Sequence, residues 1–339
     1  MPYYLYVSLQ EDDRVSMFTM DTATGRLEHQ VSTEVPGGPA PMAADPGNRF
    51  LYVGRRGACE ISSYRIDQST GELSLISTAT LDTDPCYIST DRTGKFLLSS
   101  YYEGSKVTVH PIGDDGAVTS PAVQSVATAR GAHSIQTDPS NRFAFVPHIA
   151  GNGPNAIFQF RFDEDTGRIT PNIPATLEPP EHLGPRHFSF HPRRDLLYFS
   201  NEQGCSVTGY HLDSSAGTLT AFQTVSTLPE EFDGRNSCAQ IQISPDGRFL
   251  YAPNRGHNSI ACFSIAADGE LTPIGRVSAE PVPRAVSLDP EGSFFFAAGL
   301  ESGRLGSYRV NGDSGKLEPM EVYDVGRRPM WVLTTKLGE

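Results

Sequence analysis

The chain has 339 residues, of which 38% are hydrophobic and 20% are charged, an ordinary composition for a globular domain. Its 32 glycines and 26 prolines predict many turns and argue against a fold built from long helices. The formal net charge of −13 argues against general affinity for nucleic acids or anionic membranes, although a few arginines in a cleft could still bind an anionic substrate.

The cysteines and the apolar segments bear on the cellular compartment of the protein. Five cysteines without a Cys-x-x-Cys pair are typical of free thiols in a reducing cytoplasm rather than of a disulfide framework. The first ten residues do not combine a basic segment with an apolar one, and no apolar run approaches the length of a membrane span. We therefore expect a cytoplasmic protein that is not embedded in a membrane. Nothing in the sequence marks an interface between copies of the chain.

One six-residue pattern, apolar at both ends and usually aromatic at its fourth position, recurs through the chain. It occurs seven times, as VSMFTM (15–20), ISSYRI (61–66), VTVHPI (107–112), IFQFRF (157–162), VTGYHL (207–212), IACFSI (260–265) and LGSYRV (305–310). Each copy is followed by Gly-x-Leu or a close relative, at Gly25, Gly71, Gly116, Gly167, Gly217, Gly269 and Gly315. The pattern predicts a strand, a turn and a second strand in every copy.

A second element, a strand hairpin with a tight turn, precedes six of these copies. The turns are DPGNR (45–49), DRTGK (91–95), DPSNR (138–142), HPRRD (191–195), SPDGR (244–248) and DPEGS (289–293). Proline at the second position presets φ, and a later glycine or asparagine supplies a positive φ. Each turn leads into an apolar strand, such as FLYV or FFFA.

Together the two elements form a four-stranded unit that repeats about every 50 residues, the length of a propeller blade. Six units are complete, and the seventh is divided between an inner strand MWVLTT (330–335) and a second strand YLYV (4–7). Pairing these two strands removes the open sheet edge. We therefore predict an all-β fold: one seven-bladed β-propeller domain over residues 1–339, with four-stranded antiparallel blades, closed by N- and C-terminal strands that share one blade.

The repeat also predicts which side chains meet. Positions in each hairpin are counted from the first residue of the turn. Because the two strands are antiparallel, the residue five before that point lies near the residues ten and eleven after it, at the open end of the hairpin. The first strand of each blade lines the central channel, so these ends surround one mouth of it. Charged and imidazole groups recur at these positions: Arg56, His133, Arg186, Glu202, Arg255 and Arg284.

This predicted set is strongly cationic. Four of its members are arginines, and only Glu202 is an evident anionic partner, so a bound anion would restore the balance of charge. Asn201 and Tyr101, ten residues after the start of their turns, are predicted to contact the substrate at the same mouth.

Several segments resemble a known enzyme family. They are AHSIQTDPSNR (132–142), GPRHFSFHP (184–192), FSNEQ (199–203), SPDGRFLYAPNR (244–255), PRAVSLDPEGSFFFAAG (283–299) and RPMWV (328–332). These segments resemble the bacterial 6-phosphogluconolactonases of the propeller type, a family that is similar to the fungal carboxy-cis,cis-muconate lactonizing enzyme. The resemblance covers essentially the whole chain. It implies lactone chemistry without a metal or another cofactor, carried out by His133, Arg186, Glu202 and Arg255.

The reaction expected from this resemblance is hydrolysis of a sugar lactone, namely of 6-phosphogluconolactone to 6-phosphogluconate. Such hydrolysis needs a positioned water, a base, and positive charge where the carbonyl oxygen becomes an oxyanion. Glu202 or His133 is the expected base, with the other orienting it or protonating the leaving alkoxide. Arg186 and Arg255 are expected to bind the oxyanion or the phosphate. Arg56 and Arg284 are further candidates for the phosphate.

Two alternatives remain open at this point. A cycloisomerase of the muconate type would use the same four residues, with the arginines holding substrate carboxylates. A non-catalytic propeller would bind a protein or sugar at its rim. A calcium lactonase and a serine hydrolase are disfavoured, since several arginines share the predicted mouth and no Gly-x-Ser-x-Gly elbow occurs.

Four other residues carry weaker predictions. Trp331 is predicted to pack in the core, and Cys86 is predicted to be incidental. Tyr102 could contact the substrate. His191 replaces the turn aspartate and is predicted to be structural.

Overall fold

The strands of the computed structural model, which describes residues 3–151 and 153–338, form seven antiparallel sheets of four strands each. No α-helix occurs within these described ranges. The prediction of a seven-bladed β-propeller is therefore confirmed.

The first part of the chain supplies the outer three strands of blade 7, then blades 1, 2 and 3. The strands in chain order are β1 (Tyr3–Leu9), β2 (Arg14–Met20), β3 (Leu27–Glu34), β4 (Pro39–Ala44), β5 (Phe50–Arg55), β6 (Glu60–Ile66), β7 (Leu73–Thr80), β8 (Tyr87–Thr90), β9 (Phe96–Tyr101), β10 (Lys106–Pro111), β11 (Gln124–Ala127), β12 (Gln136–Thr137), β13 (Phe143–His148), β14 (Ala156–Phe162) and β15 (Ile169–Leu177).

The rest of the chain supplies blades 4, 5 and 6 and then the inner strand of blade 7. The strands are β16 (Pro185–Phe190), β17 (Leu196–Asn201), β18 (Ser206–Asp213), β19 (Thr218–Ser226), β20 (Gln242–Ile243), β21 (Phe249–Asn254), β22 (Ser259–Ile265), β23 (Leu271–Ser278), β24 (Pro283–Leu288), β25 (Phe294–Gly299), β26 (Arg304–Val310), β27 (Leu317–Asp324) and β28 (Pro329–Lys336). The first strands of neighbouring blades contact one another around the channel, as β24, β28, β4 and β8 show.

The turn between the first two strands of a blade is held by its first side chain. In blade 1, Oδ1 of Asp45 accepts hydrogen bonds from the N–H of Arg49 at 2.6 Å and of Phe50 at 2.7 Å. These bonds satisfy backbone donors that the tight turn leaves without a strand partner. His191 plays this part in blade 4, where its Nδ1 accepts a bond from the N–H of Arg193 at 3.1 Å. This contact supports a structural role for His191.

The Gly-x-Leu turns join each blade to the preceding one. Gly217 of blade 4 has φ +70°, and a Cβ atom there would lie 2.0 Å from Cδ1 of Phe143 in blade 3. The same contact recurs between Gly315 of blade 6 and Phe249 of blade 5, at 2.1 Å. Each of these glycines is thus required twice, by its backbone conformation and by the aromatic ring against it.

Replacing Gly217 with alanine is expected to destabilise the fold by about 2–4 kcal/mol, because it combines left-handed strain with overpacking against Phe143. Thermal unfolding of the purified variant measures the effect. Gly312→Ala is the matched control, since nothing lies within 4 Å of its added Cβ and its φ is not in the left-handed region. Equal melting temperatures for the two variants would contradict the proposed blade contact.

The two ends of the chain close the ring. β1 lies between β2 and β28 and pairs antiparallel with both, and Val7 stands opposite Val332. Tyr3, Leu5 and Val332 are buried in a core cluster shared with blade 6. The closing strand therefore completes blade 7 and a packing layer between blades.

Candidate active site

A cavity lies at the mouth of the central channel where the open ends of the inner hairpins meet. About 270 Å³ of space not filled by protein atoms lies here, a figure that includes the open solvent at the mouth. The first strands of several blades contribute its walls. The lining residues are Ala40, Pro41, Cys86, His133, Arg186, His187, Gln240, Arg284, Met330 and Trp331.

Bulges at the mouth ends of the inner strands direct side chains into this cavity. In blade 4, Pro185 pairs with Asn201 and His187 with Ser200, so Arg186 is an extra residue without a partner across the sheet. In blade 6, Arg284 is extra in the same way between Pro283 and Ala285. Because a bulge interrupts strict alternation, it re-aims side chains. Both the extra residue Arg186 and its successor His187 therefore line the cavity.

An ion-pair triad occupies one side of the mouth. Nε of Arg186 donates to Oε2 of Glu202 at 2.6 Å, and Nη2 of Arg255 lies 2.9 Å from the same oxygen. Arg186 is only 1% exposed. Of the four predicted catalytic residues, His133 and Arg186 line the cavity, while Glu202 and Arg255 adjoin it through the ion pair. The structure thus brings the predicted quartet to one mouth.

The charges of the triad do not cancel. Burial alone would raise the pKa of Glu202, but the charges of Arg186 and Arg255 outweigh it and lower the pKa, so the carboxylate is ionised at neutral pH. Burial, with the charges of Arg255 and Arg284, lowers the pKa of Arg186 to about 9, which leaves it protonated. Two guanidinium groups therefore share one carboxylate.

Several donors of these arginines are unused. Within residues 3–151 and 153–338, Nη1 of Arg186 and Nε of Arg255 are buried without a hydrogen-bond partner. Both contacts to Glu202 fall on Oε2, and no bond to Oε1 is formed by the described residues. Buried donors without partners are costly, so the site is prepared to receive an acceptor.

Arg56 is paired, in a way that the sequence analysis missed. Its Nε and Nη2 donate to Oδ2 of Asp84, at 2.9 Å and 2.5 Å. Glu202 is the evident anionic partner at the repeat positions, and Asp84 is a second one outside them. Asp84 lies in the connection between blades 1 and 2, and no repeat position marks it.

Two histidines form the inner wall. Nε2 of His187 lies 3.2 Å from Nδ1 of His133, so one ring donates to the other. The Cys86 thiol lies 3.6 Å from the same Nδ1. Tyr102 and Trp331 contact the pair through their rings, Tyr102 against His133 and Trp331 against His187. Burial, followed by the charge of Arg186, holds the pKa of both histidines well below the usual value, so both rings are neutral at pH 7.

These histidines are expected to make the fold sensitive to acid. Below pH of about 6.5 the unfolded chain protonates them and the folded protein does not, so stability falls by about 1.4 kcal/mol per pH unit for each histidine. Thermal unfolding between pH 7.5 and 5.5 tests this. The double variant His133→Asn/His187→Asn should lose part of the slope, whereas the exposed-loop control His182→Asn should keep it. Parallel curves for all three proteins would contradict the burial argument.

Two predicted substrate contacts are not at the cavity. Asn201 is buried, and its side-chain nitrogen donates to Ser206 and Thr208 on the neighbouring strand. Tyr101 is also buried, and its hydroxyl bonds Thr108 at 2.9 Å on β10. Both side chains form hydrogen bonds to the neighbouring strand, and neither lines the cavity. The predictions that Asn201 and Tyr101 face the mouth are therefore wrong.

Four residues line the cavity although the sequence analysis assigned them no role there. Trp331 is half-buried and lines the cavity rather than packing wholly in the core. Cys86 belongs to the cavity wall. His187 on β16 and Gln240 just before β20 each follow the expected mouth position by one residue, and neither was predicted. Both residues stand four positions before the start of their turns, so including that position in the comparison of the repeats would have identified them.

Two further surveys concern only the part of the chain that the structure describes. No group of three or more His, Cys, Asp or Glu side chains there could hold a metal ion. No helix there has the length and apolar character needed to cross a membrane.

Comparisons with known proteins show the family of the chain. The family model described as lactonase, 7-bladed beta-propeller, matches residues 4–334. Two proteins named 6-phosphogluconolactonase are each 35% identical to the chain. One, from Pectobacterium carotovorum, matches over 335 residues, and the other, from Serratia proteamaculans, over 333; in both cases 98% of each chain is covered.

Solved structures show the same architecture. The periplasmic gluconolactonase of Pseudomonas aeruginosa superposes with a TM-score of 0.90 at 25% identity, covering 100% of both chains. A protein from Lactobacillus plantarum superposes with a TM-score of 0.87 at 24% identity, covering 99% of this chain and 100% of the other. The second likeness concerns the fold alone.

Proposed function

The chain belongs to the seven-bladed β-propeller lactonase family, and from this premise we propose that it hydrolyses a sugar lactone, with 6-phosphogluconolactone as its substrate. The observation that carries the proposal is the excess of buried positive charge at the mouth. Arg186 and Arg255 share one carboxylate and keep unused donors, and Arg284 adds a third positive charge to the cavity. An anionic substrate with an electrophilic carbonyl suits such a cavity. The curated relatives named 6-phosphogluconolactonase favour the same substrate.

The proposed roles follow from the free atoms. Nη1 of Arg186 has no partner among the described residues, and Arg186 lines the cavity, so this nitrogen can donate to the carbonyl oxygen as this becomes an oxyanion. Oε1 of Glu202 is not used by the arginines, and the side chain is 17% exposed, so it can accept a proton from a water that enters at the mouth. His133 is neutral and buried, and it supplies a hydrogen bond to the sugar rather than a charge.

In the proposed reaction, one carboxylate serves first as the base and then as the acid. The water oxygen forms a bond to the lactone carbonyl carbon while its proton passes to Glu202. The bond from that carbon to the ring oxygen breaks next, and Glu202 returns the proton to the leaving alkoxide. The product is an open-chain acid, and Glu202 ends ionised. A δ-lactone is an activated ester, so a carboxylate of low basicity suffices as the base.

The test is hydrolysis of freshly generated 6-phosphogluconolactone, measured against its spontaneous rate in the presence of EDTA. We expect acceleration that survives EDTA, falls steeply in Arg255→Ala and persists in Arg168→Ala. Arg168 is an exposed arginine in the outer turn of blade 3, so its loss removes the same charge away from the mouth. Folded protein that fails to accelerate the reaction would overturn the proposal, and cyclisation of a muconate would then be the next assay.

The remaining assignments are part of the same proposal. We propose that the ligand is an anionic small molecule rather than nucleic acid or membrane, since the net charge is −13. We propose the cytoplasm as the compartment, because all five cysteines are free. The Pseudomonas aeruginosa relative is periplasmic by its name, so fractionation of the source cell decides between the two compartments.

A further inference from the structure

One arginine of the mouth differs from the other three in making no direct contact with a carboxylate of the described residues. Arg186 and Arg255 contact Glu202 at 2.6 Å and 2.9 Å, and Arg56 contacts Asp84. Arg284 forms no hydrogen bond and no ion pair with any residue that the structure describes. A cation in a protein wall without a counterion is unfavourable unless a ligand supplies one.

Its place in the fold directs Arg284 toward the ligand. It is the extra residue of the bulge in β24, and it lines the same cavity as His133 and Arg186. Arg56 is not among the residues lining that cavity. The pKa of Arg284 is lowered to about 10 by burial and by the charge of Arg255, so the group stays protonated at neutral pH. A full positive charge therefore faces the cavity.

Gln240 supplies a second donor beside it. This side chain is 7% exposed and lines the same cavity. Its Oε1 accepts the N–H of Val286 at 2.7 Å, two residues along β24 from Arg284, which fixes the orientation of the amide. Nε2 has no partner within the described residues. An arginine on β24 and an amide N–H₂ just before β20 form a donor pair that suits a phosphate.

We propose that Arg284, assisted by Gln240, binds the phosphate of the substrate and so selects phosphorylated over unphosphorylated sugar lactones. The inference rests on the proposed function and divides the mouth into two parts. The triad of Arg186, Glu202 and Arg255 acts on the lactone carbonyl, which both substrates share. Arg284 and Gln240 act on a group that only one of them carries. Arg56, neutralised by Asp84, does not discriminate between them.

The experiment compares kcat/KM for 6-phosphogluconolactone and for gluconolactone. Arg284→Ala is expected to lose on the order of 100-fold with the phosphorylated lactone and less than about threefold with the other, because only the first loses charged hydrogen bonds. Arg284→Lys keeps a point charge without the bidentate geometry and should recover part of the loss. Gln240→Leu should lower kcat/KM for 6-phosphogluconolactone by about tenfold.

The controls separate this inference from its premise. Arg168→Ala should leave both rates unchanged, and Arg56→Gln/Asp84→Asn, which removes the ion pair as a unit, should leave their ratio unchanged. Equal losses with both lactones in Arg284→Ala would overturn the inference and place Arg284 at the carbonyl, and a changed ratio in the double variant would also overturn it.

Calorimetric binding of 6-phosphogluconate and gluconate gives a readout that does not depend on turnover. A preference for the phosphorylated acid that disappears in Arg284→Ala would support the inference even if neither lactone were hydrolysed. Wild-type protein that binds both acids equally would overturn it, whatever its activity.

Discussion

Replacing Glu202 with glutamine is expected to lower kcat/KM for 6-phosphogluconolactone by about 100-fold or more, the range typical of losing a positioned acid–base group. Glutamine keeps the size and one acceptor of the carboxylate, but it cannot take a proton from water at neutral pH. It also leaves two buried guanidinium groups without the negative charge that lies 2.6 Å and 2.9 Å from them. The measurement is the initial rate of hydrolysis after subtraction of the spontaneous reaction.

The matched control for this variant is Glu103→Gln. Glu103 is 56% exposed and pairs with Arg130 on the surface, so the same change of charge there should leave the rate unaltered. A thermal unfolding curve establishes that Glu202→Gln is folded under the assay conditions. If the folded Glu202→Gln enzyme retained activity within a factor of about three, the assignment of Glu202 as the base would be wrong.

Replacing Val332 with aspartate is expected to have the largest effect on stability, a loss of about 4 kcal/mol or more. Val332 is 3% exposed, lies on the closing strand β28, and stands opposite Val7 in the pairing that joins the two ends of the chain. A carboxylate there would be buried in an apolar cluster without a partner. Thermal unfolding, with the soluble yield at 37 °C, measures the loss.

Val322→Asp is the control for the closing strand. This valine is 53% exposed on β27, an outer strand of blade 6, so the same substitution should change stability by no more than about 0.5 kcal/mol. A Val332→Asp protein that unfolded at the same temperature as Val322→Asp would show that closure through β28 contributes little to the fold.

The number of blades and the mode of closure could be read from the sequence because they depend on local, repeated chemistry. Each tight turn needs a first side chain that accepts backbone N–H groups, as Asp45 does, and each Gly-x-Leu turn needs a glycine, as Gly217 shows. Both requirements act over a few residues, and six repetitions of the tight turn and seven of the Gly-x-Leu turn make them visible. The incomplete unit at each end then predicts that the ends share a blade.

The candidate catalytic quartet was also within reach of the sequence. The position of a residue relative to its turn gives its height along the channel, and antiparallel pairing brings Arg186 and Glu202 to the same end of one hairpin. That reasoning concerns the backbone alone. It placed Tyr101 and Asn201 at the correct end of their strands, but it could not say that their side chains bond Thr108, Ser206 and Thr208 instead of facing the channel.

The amino-acid sequence by itself determined the repeat, the closed ring and the height at which the arginines lie, because these follow from turn chemistry and strand pairing. Only the tertiary structure decided which side chains face the cavity and which charges are already neutralised. Bulges rotate Arg186 and Arg284 inward, and they bring His187 in as well. Two further contacts join different blades or the connections between them: Arg56 pairs with Asp84, and Gln240 bonds Val286. Such contacts exist only once the ring has closed.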